Sequence, residues 1–241
     1  MIIKAVIYDL DDTLIRTSEV VQPGIEFVYH QNKNVLGDIS ISRFKEANEV
    51  SVKGLLPRLK ASEIKLHQFG VLIWYETLYQ LDLKPNPEII LALYESLQSY
   101  TLTHIQLYPE VMDVFDTLIS KNIRIAILSN GSTIERLRKV IAVGLQKKID
   151  LLVATELVGR DKPDQAPFLY TLNLLGVKGN EVIYIGDSYT EDICGATNAG
   201  IQVVHFNPHK INNPSQGDYF TITNHKQLLA IINKYKSEDN V

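Results

Sequence analysis

Cysteine occurs once in the 241 residues, as Cys194, so no intrachain disulfide can form. No histidine stands near it in sequence to activate a thiol, which favours a small packing residue over a nucleophile. The six histidines show no zinc-type spacing. Long apolar runs are also missing. None approaches the roughly 18 residues that cross a bilayer, and Asp9 interrupts the first apolar stretch before a signal-peptide core is complete. Neither charge dominates: 24 Lys and Arg against 28 Asp and Glu give a net charge of −4 and a pI near 5.9. The basic residues are scattered, which leaves no footprint for nucleic acid. Repeats and low-complexity tracts are absent. What is present is an ordinary globular composition, 45% hydrophobic and 22% charged, long enough for a core domain with a smaller companion. These readings predict a cytoplasmic protein without nucleic-acid or membrane partners.

Five apolar segments read as strands: Ile2 to Tyr8, Arg124 to Leu128, Leu151 to Ala154, Val182 to Ile185 and Gln202 to Phe206. Most are runs of Val, Ile and Leu rather than alternations, which implies burial on both faces and a parallel sheet. Helical stripes separate them. Val111, Val114, Phe115, Leu118 and Ile119 follow Pro109, read as an N1 residue, and Ile134, Leu137, Val140 and Ile141 stop at Gly144. Phe168 to Leu175 closes on Gly176, Thr190 to Ala199 on Gly200, and Leu228 to Tyr235 ends the pattern before Ser237–Val241, expected to fray. Strands alternating with helices predict an α/β doubly wound parallel sheet. From about residue 17 to 103 the alternation fails, leaving helical stripes punctuated by Pro23-Gly24, Gly37-Asp38, Gly54 through Pro57 and Pro85-Asn86-Pro87. The expected organisation is a core of residues 1–16 and 104–241 with an all-helical insert, 17–103.

The first strand ends in Asp9-Leu10-Asp11-Asp12-Thr13, and the fourth in Gly186-Asp187-Ser188 with Asp192 beyond. One aspartate suffices for a turn or an N-cap; several build a charged site. Ligands of open parallel sheets bind beyond the carboxyl ends of the strands. Those ends carry Asp9 and Asp11, then Ser129-Asn130-Gly131, then Lys162-Pro163-Asp164, then Asp187 with Asp192. Carboxylates, a hydroxyl with backbone amides and one ammonium suit a phosphate dianion and a hard divalent cation. Taken singly, Asp12 and Thr13 also fit a helical cap, Ser129 an N-cap, and Lys162 an exposed loop lysine. Gly195, Ala196, Ala199 and Gly200 read as close helix packing.

In this order the segments resemble the four motifs of the haloacid dehalogenase superfamily: Asp9-Leu10-Asp11-Asp12-Thr13-Leu14, Leu128-Ser129-Asn130-Gly131, Gly159 to Asp164, and Gly186-Asp187-Ser188 with Asp192. Motif three departs from the usual pattern, because Gln165-Ala166 stands where a proline commonly follows the aspartate. The resemblance implies a Rossmann-like core, with the insert as a helical cap of the type placed after motif one. It implies Asp9 as nucleophile and Asp11 as general acid and base. It implies Mg²⁺ held by the Asp9 and Asp187 carboxylates and the Asp11 backbone carbonyl. Ser129, the Asn130 amide, the Asp12 amide and Lys162 would hold phosphate, with Thr13 and Asp192 in support. An acid two residues after the nucleophile fits phosphate-ester chemistry rather than dehalogenation. The implied enzyme is a phosphatase of a small phosphorylated metabolite, with glyceraldehyde 3-phosphate one candidate. The alternatives are a phosphomutase resembling β-phosphoglucomutase, a nucleotidase, a phosphoglycolate phosphatase and an inactive phospholigand-binding module. The oligomeric state is left open, a homo-oligomer being compatible with the sequence.

Overall fold

A computed structural model describes residues 2–210 and 219–237, and the chain in it divides into two compact units, 1–16 with 106–241 and 17–105. In the first unit, strands β1 (Ala5–Tyr8), β2 (Arg124–Ser129), β3 (Leu151–Ala154), β4 (Val182–Gly186), β5 (Gln202–Phe206) and β6 (Phe220–Ile222) form a sheet in the order β3-β2-β1-β4-β5-β6. Every pairing is parallel. Five strands match the apolar runs. The sixth is only three residues long with two exposed side chains, so no hydrophobic period announces it.

The strand order reverses between β1 and β4, which lie side by side with Tyr8 opposite Ile185. At such a switch point the flanking connections leave in opposite directions and open a crevice at the carboxyl ends. Both strands are fully buried, which explains their unbroken apolar sequences.

Helix α6 (Val111–Ser120, labelled after five helices of the second unit) covers the sheet with Val111, Val114, Phe115 and Leu118. It begins after Glu110, at φ 67°, rather than at Pro109. Helix α7 (Thr133–Ala142) buries only Val140 of its expected stripe. Ile134, Leu137 and Ile141 are exposed, while Arg136, Lys139 and Val140 are buried. Helix α8 (Gln165–Leu175) starts where the Asp164 side chain accepts from the Ala166 amide at 2.8 Å, and ends on Gly176 at φ 62°. After β4 comes a π-helical segment, Tyr189–Cys194, that runs into α9 (Gly195–Asn198). A Cβ on Gly195 would lie 2.7 Å from the Phe168 ring, so close packing explains that glycine. Gly200 differs from expectation: a Cβ there would meet nothing, and its φ of +73° is what favours glycine. Helix α10 (Gln227–Ser237) is the last described element, so most of the stretch expected to fray, 238–241, lies outside the described residues.

The second unit packs α1 (Ser18–Gln31), the short turn α2 (Lys33–Leu36), α3 (Ile41–Lys60), α4 (Leu66–Gln80) and α5 (Pro87–His104) around Tyr29, Phe44, Trp74, Leu78 and Leu93. Gly37 and Pro85-Asn86-Pro87 do break the chain, Asn86 capping α5 by accepting from the Ile89 amide at 2.9 Å. Pro23-Gly24 and Gly54 through Pro57 do not, since they lie inside α1 and α3. Each proline removes one backbone bond, but both helices carry a buried apolar face that holds them on their neighbours. Gly24 lets α1 approach α5, because a Cβ there would meet Leu97 Cδ1 at 2.8 Å.

A cavity of about 380 Å³ opens among these helices, walled mainly by Val21, Ile25, Val52, Phe69, Ile73 and Leu97. Gly70, in the interior of α4, also lines it, and a Cβ there would meet only Tyr94 at an ordinary 3.9 Å. Packing therefore does not require this glycine. Gly70→Ala is expected to stabilise the helical unit by about 0.5–1 kcal/mol, the usual helix-interior difference. Denaturant unfolding followed by circular dichroism reads this, and an unchanged or lower midpoint would refute it.

Candidate active site

The switch point brings together side chains far apart in sequence. β1 delivers Asp9, whose amide continues the ladder by donating to the Ile185 carbonyl at 2.8 Å. β4 delivers Asp187, and the helical turn after it Asp192. Oxygens of these three carboxylates lie within 4.8 Å of one another. Lys162, 4% exposed, reaches in from the loop after β3. Its ammonium lies 2.6 Å from Asp9 Oδ1, 2.6 Å from Asp192 Oδ1 and 3.0 Å from the Tyr184 hydroxyl. Asp192 is fully engaged: Oδ1 also accepts from Tyr184 at 2.7 Å, and Oδ2 from the Ser188 amide at 3.0 Å. Gly186 makes room for it, since a Cβ there would sit 2.2 Å from Asp192 Cγ. Asp192 thus fixes Lys162, and Asp9 and Asp187 are left to face a ligand.

Asp11 stands outside this cluster. Its carboxylate meets Lys139 Nζ at 2.5 Å and Arg136 Nη2 at 3.4 Å. These two cations lie three residues apart on one face of α7, which is why that face is buried although charged. Arg136 Nε also donates to Ser129 Oγ at 3.0 Å and to the Asn130 carbonyl at 2.8 Å, tying the motif-two turn to the same helix. The Asn130 side chain accepts from the Lys162 amide at 2.8 Å and donates to Glu191 at 2.9 Å, so it places the lysine loop. Thr155 steadies that loop from below, donating to Asp161 at 2.6 Å and accepting from the Gly131 amide at 3.1 Å. Ser129 is not an N-cap; Ser132 occupies that position on α7.

The Asp12 expectation requires correction. Asp12 sits at φ 56° and its amide donates to the Ile15 carbonyl at 2.7 Å. A tight turn closes the motif on itself there, so the amide is engaged in the turn and not offered to phosphate. Thr13 is buried and donates to Asp187 Oδ1 at 3.1 Å, which links the first acidic loop to the second. Tyr184, Arg136, Lys139 and Glu191 escaped the reading of the sequence. Only the two cations left a signal, as charges at i and i+3 beside an apolar stripe; Tyr184 sits inside a strand that is apolar throughout.

Electrostatics show what the cluster lacks. Burial raises the Asp9 carboxyl well above its usual range, with Asp192 and Asp187 adding to the rise and Lys162 opposing it. Burial, then Asp192, pushes Asp187 up to about 7, against the Thr13 hydrogen bond. For Lys162 burial alone would lower the value, but Asp192 and Asp9 hold it well above that of an ordinary lysine. One buried ammonium among three carboxylates leaves negative charge uncompensated. Two unit charges about 4 Å apart at an effective dielectric near 20 oppose each other by ~4 kcal/mol. A hard cation with oxygen ligands fits this donor set and relieves that repulsion.

The sequence profile of the haloacid dehalogenase-like hydrolases matches residues 3–200, and the chain belongs to that family. It is similar to the glyceraldehyde 3-phosphate phosphatase of Methanocaldococcus jannaschii, 25% identical over 98% of this chain and all of that protein. It is also similar to the ribulose-1,5-bisphosphate 5-phosphatase of Halopiger xanaduensis, 28% identical over 85% of this chain and 84% of that one. The crystal structure of a phosphatase of the same superfamily from Thermococcus onnurineus superposes with a TM-score of 0.73 at 26% identity, covering 95% of this chain and 98% of that one. Among the described residues no helix is long and apolar enough to cross a membrane.

Proposed function

We propose that this chain is a Mg²⁺-dependent phosphatase of small phosphorylated metabolites, with a triose or sugar phosphate such as glyceraldehyde 3-phosphate as its substrate. The single observation that carries the reading is the buried Asp9 at the switch point, 2.6 Å from Lys162 and clustered with Asp187. The two phosphatases named above, both acting on sugar phosphates, support the substrate class. The helical insert is the part of the chain assigned to substrate choice, as the family resemblance implies.

Asp9 attacks phosphorus in line; the bond to the alkyl oxygen breaks, and the leaving oxygen takes a proton from Asp11. Water then attacks the aspartyl-phosphate, gives a proton to the Asp11 carboxylate and restores Asp9, releasing inorganic phosphate. Lys139 and Arg136 pair with the Asp11 carboxylate and hold it in place. Lys162, the Ser129 hydroxyl and the Asn130 amide hold the phosphoryl oxygens while charge builds on them. Asp9, Asp187 and the Asp11 carbonyl would hold the cation. When bound, it offsets the charge of nucleophile and phosphate and lets the two anions approach.

The purified protein is expected to release phosphate from p-nitrophenyl phosphate and from glyceraldehyde 3-phosphate with Mg²⁺, to stop with EDTA, and to recover when Mg²⁺ is restored. If no ester in a panel including ribulose 1,5-bisphosphate, phosphoglycolate and nucleoside monophosphates is hydrolysed, the reading fails. A phospho-enzyme that resists water while isomerising a sugar phosphate would replace it with a mutase.

A further inference from the structure

We propose that His225 is a positioning residue of this site, acting through Thr13 on Asp187; the inference rests on the reading of Asp187 as a metal ligand. His225 is 1% exposed, and its Nε2 lies 2.9 Å from the Thr13 carbonyl oxygen. A carbonyl only accepts, so Nε2 carries the proton. Thr13 in turn donates its hydroxyl to Asp187 Oδ1 at 3.1 Å. A contact 212 residues apart in sequence thereby fixes the threonine that orients the carboxylate. His205 braces the same loop from its backbone side, Nε2 lying 3.0 Å from the Asp187 carbonyl.

The surroundings of the ring show that the N–H bond is the reason for a histidine here. The imidazole stacks on Phe206 at 4.4 Å between ring centres, with Tyr8 at 6.0 Å and Tyr108 at 6.2 Å. Burial among these rings pushes it down to about 4, so near neutral pH it is an uncharged donor and not a proton carrier. Nδ1 has no partner among the described residues. Leaving a buried nitrogen unpartnered is unfavourable, and phenylalanine would fill the same aromatic space without it. The compensating interaction is the bond to Thr13. Both histidines lie beyond residue 200, where the family match ends.

His225→Phe keeps the packing and deletes the donor; His225→Gln restores an N–H at similar reach. Mg²⁺ binding to the full-length resting protein is measured by calorimetry, beside Tm and the kcat and KM for p-nitrophenyl phosphate. Loss of a group that orients a metal ligand commonly weakens the metal 10–100-fold. The expected result for His225→Phe is a roughly tenfold weaker Mg²⁺ affinity, a retained cooperative melt, and a KM at saturating Mg²⁺ within about twofold of the parent. His225→Gln is expected to recover the affinity to within about threefold, and His225→Phe to add little to the defect of Thr13→Ala. The proposal is overturned if a folded His225→Phe binds Mg²⁺ like the parent, or if Gln fails to recover what Phe loses. Should His225→Phe not fold, His225→Asn serves instead, its shorter amide falling short of Thr13; parental affinity there equally overturns the proposal. A parent that binds no Mg²⁺ at all would instead defeat the reading of the metal site.

Discussion

Asp9→Asn is expected to lower kcat by at least roughly 10⁴-fold, the scale on which enzymes lose a covalent nucleophile, while leaving the fold intact. The amide matches the carboxylate in shape but is a far weaker nucleophile. It also removes one of the three mutually repelling acids, so stability should hold: Asp9 is raised by burial and by its acidic neighbours, which marks its charge as costly in the resting protein. The checking measurement is a single-turnover assay beside a thermal melt. Residual activity within tenfold of the parent in a folded protein would remove Asp9 from the reaction and with it the aspartyl-phosphate.

Lys162→Met is expected to cost somewhat less activity, on the order of 10³-fold, but to damage the resting protein as well. Its ammonium is shared by two buried carboxylates at 2.6 Å each. Deleting one partner of a buried ion pair typically costs about 3–5 kcal/mol, because the remaining charge is stranded. The sign with pH follows from linkage. Without the lysine, Asp9 rises further, and a carboxyl raised in the folded state lends stability at low pH that is lost as pH rises. The deficit relative to the parent should therefore be smaller at pH 5 than at pH 8, as denaturant midpoints at both values would read. An equal or smaller deficit at pH 8 would mean that Lys162 does not neutralise these acids.

Much of this was legible in the residues because it is local. A buried parallel strand is largely apolar, and each of the five longer strands was, apart from Arg124 and Ser129 in β2 and Gln202 and His205 in β5. Polar residues placed abruptly at such ends stand out, which exposed Asp9, Asp11, Ser129, Lys162 and Asp187. The helical insert was equally visible as a loss of alternation. Where the reading failed, a distant partner changed the meaning of a local pattern. Pro23 and Pro57 break an isolated helix, but not one pinned by neighbours. Of the stripe Ile134, Leu137, Val140 and Ile141 only Val140 is buried, because α7 turns Arg136 and Lys139 inward onto Asp11.

The amino-acid order alone determined the class of sheet, the insertion point and the acidic strand ends, since these depend on periodicity and on residue type within a few positions. Only the folded chain decided which acids face one another, that Asp12 closes a turn, that Asp192 belongs to Lys162, and that a histidine 212 residues away holds Thr13. Such pairings depend on distances in space, which the strand order sets and which no separation along the chain encodes.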